Sequence, residues 1–346
     1  MNKFRVGLTR DFLNSEGELK YDIGLDILNK DPNIEYEFFS EYTQEVMPEQ
    51  IKDYDAVISL LPKYTGNSFK GVERLVAIAR FGVGYDMVDL KACTEADVMC
   101  FITPQAACRP VATMILTFML ALSSRIFKKD LLLRSGRWND KTDYMGWGLT
   151  GRVVGSVGLG RISREFFKLA KPLDIVPIAY DPYISDSDGQ KLGIKMVGLK
   201  TLLTQSDYVS ISCPLTEKTY HLIGEKELDL MKPTAFLINT ARGPIVDQKA
   251  LTIALQQQRI QGAALDVFEK EPIDPDDPLI KLNNVILTPH ALSWTDESFR
   301  AMGEADINGI LRVSQGLIPE SVVNTEVLNR EGLRKKLSRY TNAQDL

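Results

Sequence analysis

The chain has 346 residues, 44% hydrophobic and 25% charged, and carries a net charge of −5. That length accommodates two domains with cores of their own, and the mild acidity, without any long Lys/Arg block, argues against a nucleic-acid partner. The longest apolar run, near Val111 to Leu122, is too short and too interrupted by threonine to span a membrane, so no membrane association is expected. Met1-Asn-Lys-Phe-Arg-Val leads into a strand pattern without the apolar stretch of a signal peptide. Cys93, Cys100, Cys108 and Cys213 form no Cys-x-x-Cys and read as thiols of a reducing cytoplasm. Only two histidines occur, without paired-ligand spacing, which argues against a metal site.

Short β-branched runs alternate with helical patterns, the signature of α/β architecture. Strands are predicted at Phe4–Leu8, Ala56–Leu60, Leu75–Ile78 and Val98–Ile102. Val111, Met114, Ile115, Phe118, Met119 and Leu122 then recur at helical spacing, with Gly136 as the predicted stop. Residues 134–150 read as a long connection. Further strands are predicted at Val153–Val157, Ile175–Tyr180, Tyr208–Ser212, Phe236–Asn239, Gly262–Val267 and Val285–Leu287. Helical stretches separate most of them, one with Asp247 as its N-cap. Strands linked this way fit a doubly wound parallel sheet. A helix over about Asp296 to Val313 precedes Val322-Val323-Asn324, and residues 330–346 read as a polar, frayed tail.

Gly158-x-Gly160 sits between the strand ending at Val157 and a helical pattern from Arg161 to Ala170, and Asp181 follows 21 residues past Gly160. Gly158 permits a tight turn, while Gly160 lets the backbone approach a pyrophosphate resting on the helix N-terminus. Ser163 stands where a third glycine would serve close helix–strand packing, and a small side chain can substitute there. Asp181 would bond a ribose 2′-OH and repel a 2′-phosphate; no Arg or Lys intervenes before Lys191, so NAD is predicted over NADP. Glycine turns of this kind also occur without a ligand, so the turn does not decide the matter alone.

Three later stretches decide more. Ile238-Asn-Thr-Ala-Arg-Gly243, Ala264-Leu-Asp-Val-Phe-Glu-Lys-Glu-Pro272 and Leu287-Thr-Pro-His290 follow one another in order. They resemble the signature motifs of the D-isomer-specific 2-hydroxyacid dehydrogenases. The resemblance runs from Arg80-Phe-Gly-Val-Gly-Tyr-Asp86 to Val323-Asn324. It implies a Rossmann-type NAD-binding domain at about 102–290 and a discontinuous flavodoxin-like α/β substrate domain at 1–101 and 291–346, with a cleft between them. It also implies a catalytic triad of Arg242, Glu271 and His290.

Those residue types suit a 2-oxo acid. Arginine offers a planar, permanent charge to the carboxylate and the ketone. Histidine, with a reference pKa of about 6.5, can give or take the proton as hydride moves. A glutamate bonded to the ring would orient it and favour the imidazolium. Singly, each has a plainer reading: a surface ion-pair arginine, a solvated glutamate, a loop histidine. Three in the right order, at the carboxyl ends of strands, make those readings weak together.

By the same resemblance, Arg161 and Ile162 would present N–H groups to the pyrophosphate, and Pro214 and Thr219 would border the adenosine. Thr240, Ala241 and Asp266 would contact the nicotinamide, and Val83-Gly84 would receive the substrate carboxylate through backbone N–H groups. Two stretches depart from the family pattern: Arg109-Pro-Val-Ala-Thr113, where Val-Ala-Glu is usual, and Ala291-Leu-Ser-Trp294 after the histidine, where Ile-Gly is common. Arg109 is therefore a candidate contact for a second polar end of the substrate, against the plainer reading of an arginine reaching to solvent. The implied reaction is reversible hydride transfer between NAD(H) and a small D-2-hydroxy/2-oxo acid. The implied protein is a cytoplasmic homodimer built on the helix near Val111 to Leu122 and the segment 134–150. A different class within the same fold is an NAD(H)-sensing corepressor or scaffold with little turnover.

Overall fold

The computed structural model describes residues 3–341. Two compact units emerge, Met1–Ala107 with Trp294–Leu346, and Cys108–Ser293.

The first unit holds five parallel strands: β1 (Phe4–Leu8), β2 (Ile34–Phe38), β3 (Ala56–Ser59), β4 (Ala77–Arg80) and β5 (Met99–Ile102). Their order, β2-β1-β3-β4-β5, is that of flavodoxin. Strand β3 is buried along its whole length, as expected for a parallel strand covered on both faces. Strand β2 was not anticipated. It lies at the sheet edge and only Ile34 is fully buried, so its glutamates leave no continuous apolar run to read. The helix Asp296–Ser314 packs Phe299, Ile307 and Ile310 into the same core as Val6, Ile58 and Phe101.

The expected frayed tail is corrected over much of its length. Residues Glu331–Leu337 form a helix whose Leu333 and Leu337, one turn apart, join that core. Lys336 is buried with them, and its Nζ donates to the carbonyls of Leu75 (2.8 Å) and Ala96 (2.7 Å). The tail from 342 to 346 lies outside the described residues.

The second unit holds a parallel sheet of seven strands: β6 (Val153–Val157), β7 (Val176–Tyr180), β8 (Lys195–Met196), β9 (Tyr208–Ile211), β10 (Phe236–Asn239), β11 (Gly262–Leu265) and β12 (Val285–Leu287). All six predicted strands are present; the two-residue β8 is too short to leave a pattern. The order β12-β11-β10-β9-β6-β7-β8 is that of a doubly wound dinucleotide fold with its switch point between β6 and β9. Asp247 caps the helix Gln248–Gln256 as predicted, accepting from the Ala250 N–H at 2.9 Å.

The helix predicted to stop at Gly136 is two helices. Cys108–Ser124 ends at Arg125, whose φ of 55° breaks the ladder, and Ile126–Arg134 follows. Gly136, at φ 71°, terminates the second helix instead. The connection after it is partly ordered as a 3-10 segment, Trp138–Tyr144. No single helix among the described residues is long and apolar enough to cross a membrane.

Candidate active site

The glycine turn leaves β6 under tight steric control. Gly158 has φ 98°, and a Cβ there would lie 2.8 Å from the Ser212 carbonyl oxygen and the Cys213 nitrogen. Only glycine lets the chain turn beneath the loop after β9. Gly160 precedes the helix Arg161–Ala170, and a Cβ on it would meet nothing within 4 Å. The first-turn N–H groups of that helix, Arg161 and Ile162 among them, therefore border open space at the positive end of the helix dipole. Ser163 is fully buried and donates to the Gly158 carbonyl at 2.8 Å, so the substituted position braces the turn from within.

Asp181 stands at the end of β7, its carboxylate fixed by the N–H groups of Leu159 and Tyr183, each at 2.9 Å. Thr219 closes its own loop, donating to the Pro214 carbonyl and accepting from the Thr216 N–H, both at 2.7 Å. These residues fit a dinucleotide: open space at a helix N-terminus, with a carboxylate at the neighbouring strand end.

Arg242, Glu271 and His290 come together from the loops after β10, β11 and β12. Buried Asn239 shapes the first of these, donating from Nδ2 to the Arg242 carbonyl (2.9 Å) and accepting from the Ala241 N–H (3.1 Å). Sequence reading passed Asn239 by, although an Asn closing an apolar strand is a turn signal. Arg242 donates through Nη1 to the Ala241 carbonyl at 2.8 Å. At Gly243 a Cβ would sit 1.9 Å from the Phe268 carbonyl carbon, so only glycine allows the two loops to touch.

Within the second loop, Glu271 accepts the Phe268 N–H on Oε1 (2.9 Å) and meets His290 Nδ1 through Oε2 (2.7 Å). Burial pushes the Glu271 carboxyl up. The hydrogen bond and charge of His290, the Phe268 N–H and the nearby Arg242 outweigh that, and its pKa lies below the ordinary value. With Nδ1 engaged, Nε2 is the nitrogen of the half-exposed His290 ring available for chemistry.

Asp266 begins the same loop. It is buried, which raises its pKa against the opposing pull of its hydrogen bonds. Its Oδ1 accepts from Thr288 Oγ1 and from the N–H groups of Ala291 and Leu292, both at 3.2 Å. It thereby holds the segment that carries His290. Thr240 and Ala241 lie in the turn that Asn239 shapes. In the first unit, Val83 packs partly buried against the core, and Gly84 follows it in the loop after β4. Arg109 has a partner within its own unit: Nη1 pairs with Glu165 on the helix Arg161–Ala170. Trp294 stands edge-on to Phe299, ring centroids 5.2 Å apart.

A family profile described as the NAD binding domain of D-isomer specific 2-hydroxyacid dehydrogenase matches residues 116–291. The chain belongs to this family. A glyoxylate reductase of Korarchaeum cryptofilum is 40% identical to the dehydrogenase over 290 residues, 83% of this chain and 87% of that protein. A D-3-phosphoglycerate dehydrogenase of Methanocaldococcus jannaschii is 38% identical over 303 residues, 87% of this chain and 57% of that protein. Among solved structures, a D-lactate dehydrogenase from Aquifex aeolicus, complexed with NAD and lactic acid, superposes with a TM-score of 0.78 at 25% identity. It covers 90% of this chain and 96% of that one. The dehydrogenase is an NAD-dependent oxidoreductase of the 2-hydroxyacid/2-oxoacid class, and its nucleotide domain has the Rossmann fold.

Proposed function

We propose that the dehydrogenase interconverts a small D-2-hydroxy acid and its 2-oxo acid, with glyoxylate the first substrate to test. The observation that carries this reading is the 2.7 Å contact between His290 Nδ1 and Glu271, on a loop wedged by Gly243 against the turn of Arg242. The NAD cofactor supplies or accepts the hydride at C2. Arg242 pairs with the carboxylate and polarises the C2 oxygen, its flat guanidinium matching both. His290 gives a proton from Nε2 to that oxygen during reduction and takes it back during oxidation. Glu271 fixes the orientation of the ring.

Gly158, Gly160, Arg161 and Ile162 hold the pyrophosphate, and Asp181 the adenosine ribose. Pro214 and Thr219 border the adenosine, and Thr240, Ala241 and Asp266 the nicotinamide. For Arg109 the geometry supports a structural part, because Glu165 already supplies the anion beside it. A homodimer is supported by the exposed apolar side chains of Leu120, Ile126, Phe127, Leu131 and Leu133 on the two helices before Gly136.

NADH oxidation followed with glyoxylate, hydroxypyruvate and pyruvate tests the reading. Turnover that Arg242→Ala and His290→Ala each lower about 10²-fold or more supports it. Tight NADH binding with no turnover of any 2-oxo acid would instead favour a sensor.

A further inference from the structure

Both histidines of the chain meet carboxylates of one loop. Glu271 takes His290; two residues earlier, Glu269 Oε1 takes His221 Nε2 at 2.7 Å. His221 is fixed from its own side as well. Its backbone N–H donates to the Pro244 carbonyl at 2.8 Å, beside Arg242 and Gly243, and its ring stacks on Tyr220 with centroids 4.1 Å apart. Glu269 is also tied to the helix Gln248–Gln256. Its Oε1 accepts the Gln248 N–H and its own N–H donates to Gln248 Oε1, each at 3.1 Å.

Two carboxylates face the His221 ring from different elements: Glu269 from the loop after β11, and Asp247 from the helix cap, with Oδ2 3.9 Å from Nδ1. The uncharged phenol ring of Tyr220 covers one face. An imidazolium satisfies both carboxylates. A neutral ring that keeps its proton on Nε2 for Glu269 turns a lone pair toward Asp247. Between the two histidines, Phe268 touches Gly243 with its carbonyl and holds Glu271 with its N–H. Segment 268–271 is thus gripped at both ends and in the middle.

We propose that His221 is a positioning residue: its ring, held between Glu269 and Asp247, sets the backbone of 268–271 and so the place of the Glu271 carboxylate behind His290. The proposal rests on the reading of Glu271 and His290 given above. Its competitor is an ordinary half-exposed ion pair that contributes only to folding.

The test is NADH oxidation by glyoxylate for His221→Ala and His221→Gln, each made in the unsubstituted enzyme and in Glu271→Gln, with melting curves of all. His221→Ala should lower kcat about tenfold, less than the ~10²-fold of a 1 Å misplacement, and leave the KM for NADH within about twofold. The reductive rate should also decline from a lower pH. His221→Gln keeps an N–H donor for one carboxylate only, and its kcat should fall between the two. In Glu271→Gln, removing His221 should cost no further kcat, because the effect passes through that carboxylate, whereas any loss of Tm should persist.

Losses that multiply in the double variant would overturn the proposal, as would a lowered Tm with unchanged kcat and pH profile. If His221→Ala does not fold, His221→Gln carries the same comparison. Failure of the parent reading looks different: Glu271→Gln alone would then leave kcat and the pH profile unchanged, and the proposal falls with it.

Discussion

The two histidine–glutamate pairs are nearly the same contact made twice. In each, a ring nitrogen meets a carboxylate oxygen of the loop after β11 at 2.7 Å, and both histidines have left-handed backbones, at φ 54° for His290 and 50° for His221. They differ in which nitrogen the glutamate takes. Glu271 engages Nδ1 of His290, leaving Nε2 for chemistry, with Arg242 on the adjoining turn. Glu269 engages Nε2 of His221, and Nδ1 then faces the carboxylate of Asp247. On the proposed reading, the cation beside the first pair suits an anionic substrate, while the second carboxylate beside the other pair suits a clamp. The two dyads thus differ in what lies beyond them more than in themselves.

Removing that cation should break the contrast most severely. Arg242→Ala should lower kcat/KM about 10²-fold, equivalent to a charge-assisted pairing worth ~3 kcal/mol. Both KM for the 2-oxo acid and kcat should move, because the carboxylate pairing and the ketone polarisation are lost together. Steady-state kinetics read this directly; a change confined to KM would reduce Arg242 to a binding residue.

Glu271→Gln should cost less, roughly tenfold in kcat, and should change the shape of the pH profile. The Glu271 carboxyl titrates below its ordinary value, so it is ionised across the neutral range. Without that charge the imidazolium loses its partner, and the decline of the reductive rate with rising pH should begin at lower pH. For folding the sign is that of a depressed carboxylate: its contribution is present above the ordinary pKa of about 4.3 and is lost as pH falls through the folded value. A rate profile unchanged in shape and in position along the pH axis would argue that Glu271 only fills space.

Asp181 lies in the same unit but outside both pairs, and it should affect cofactor choice alone. Asp181→Ala should narrow the NAD-over-NADP preference by about tenfold, as expected from removing one charge of ~1–4 kcal/mol at close range. Equal kcat/KM for the two cofactors in the unsubstituted enzyme would contradict this reading of the turn. The smallest effect should come from Arg109→Ala. Its pair with Glu165 is half-exposed on the arginine side, a contact worth up to about 1 kcal/mol. The kcat/KM values for glyoxylate and for longer polar 2-oxo acids should stay within about twofold; a loss confined to the longer acids would restore Arg109 to the substrate site.

The site was legible where local patterns coincide with chemistry. Gly158, Gly160 and Asp181 follow the spacing of a strand, turn, helix and next strand. Arg242 and Glu271 follow apolar runs buried in a parallel sheet, and His290 follows the partly buried edge strand β12. What stayed hidden depends on partners distant in sequence. His221 meets Glu269 across 48 positions, and nothing near either residue announces the other. The motif reads Thr219 as a cofactor contact, and in the fold its hydroxyl is engaged within its own loop. In the fold, β2 and β8 escaped because edge strands need no continuous apolar run. The break at Arg125 escaped because hydrophobic spacing continues across it. The docked helix Glu331–Leu337 escaped because its two buried leucines are surrounded by charged residues in sequence.

The central claim is that His290 is the proton donor and acceptor, and the most direct measurement compares His290→Ala with the unsubstituted enzyme. NADH binding, followed by its fluorescence, should change by less than about twofold, while kcat for glyoxylate at neutral pH should fall on the order of 10²-fold or more. A His290→Ala enzyme that binds NADH and turns over glyoxylate at a near-normal rate would contradict the account.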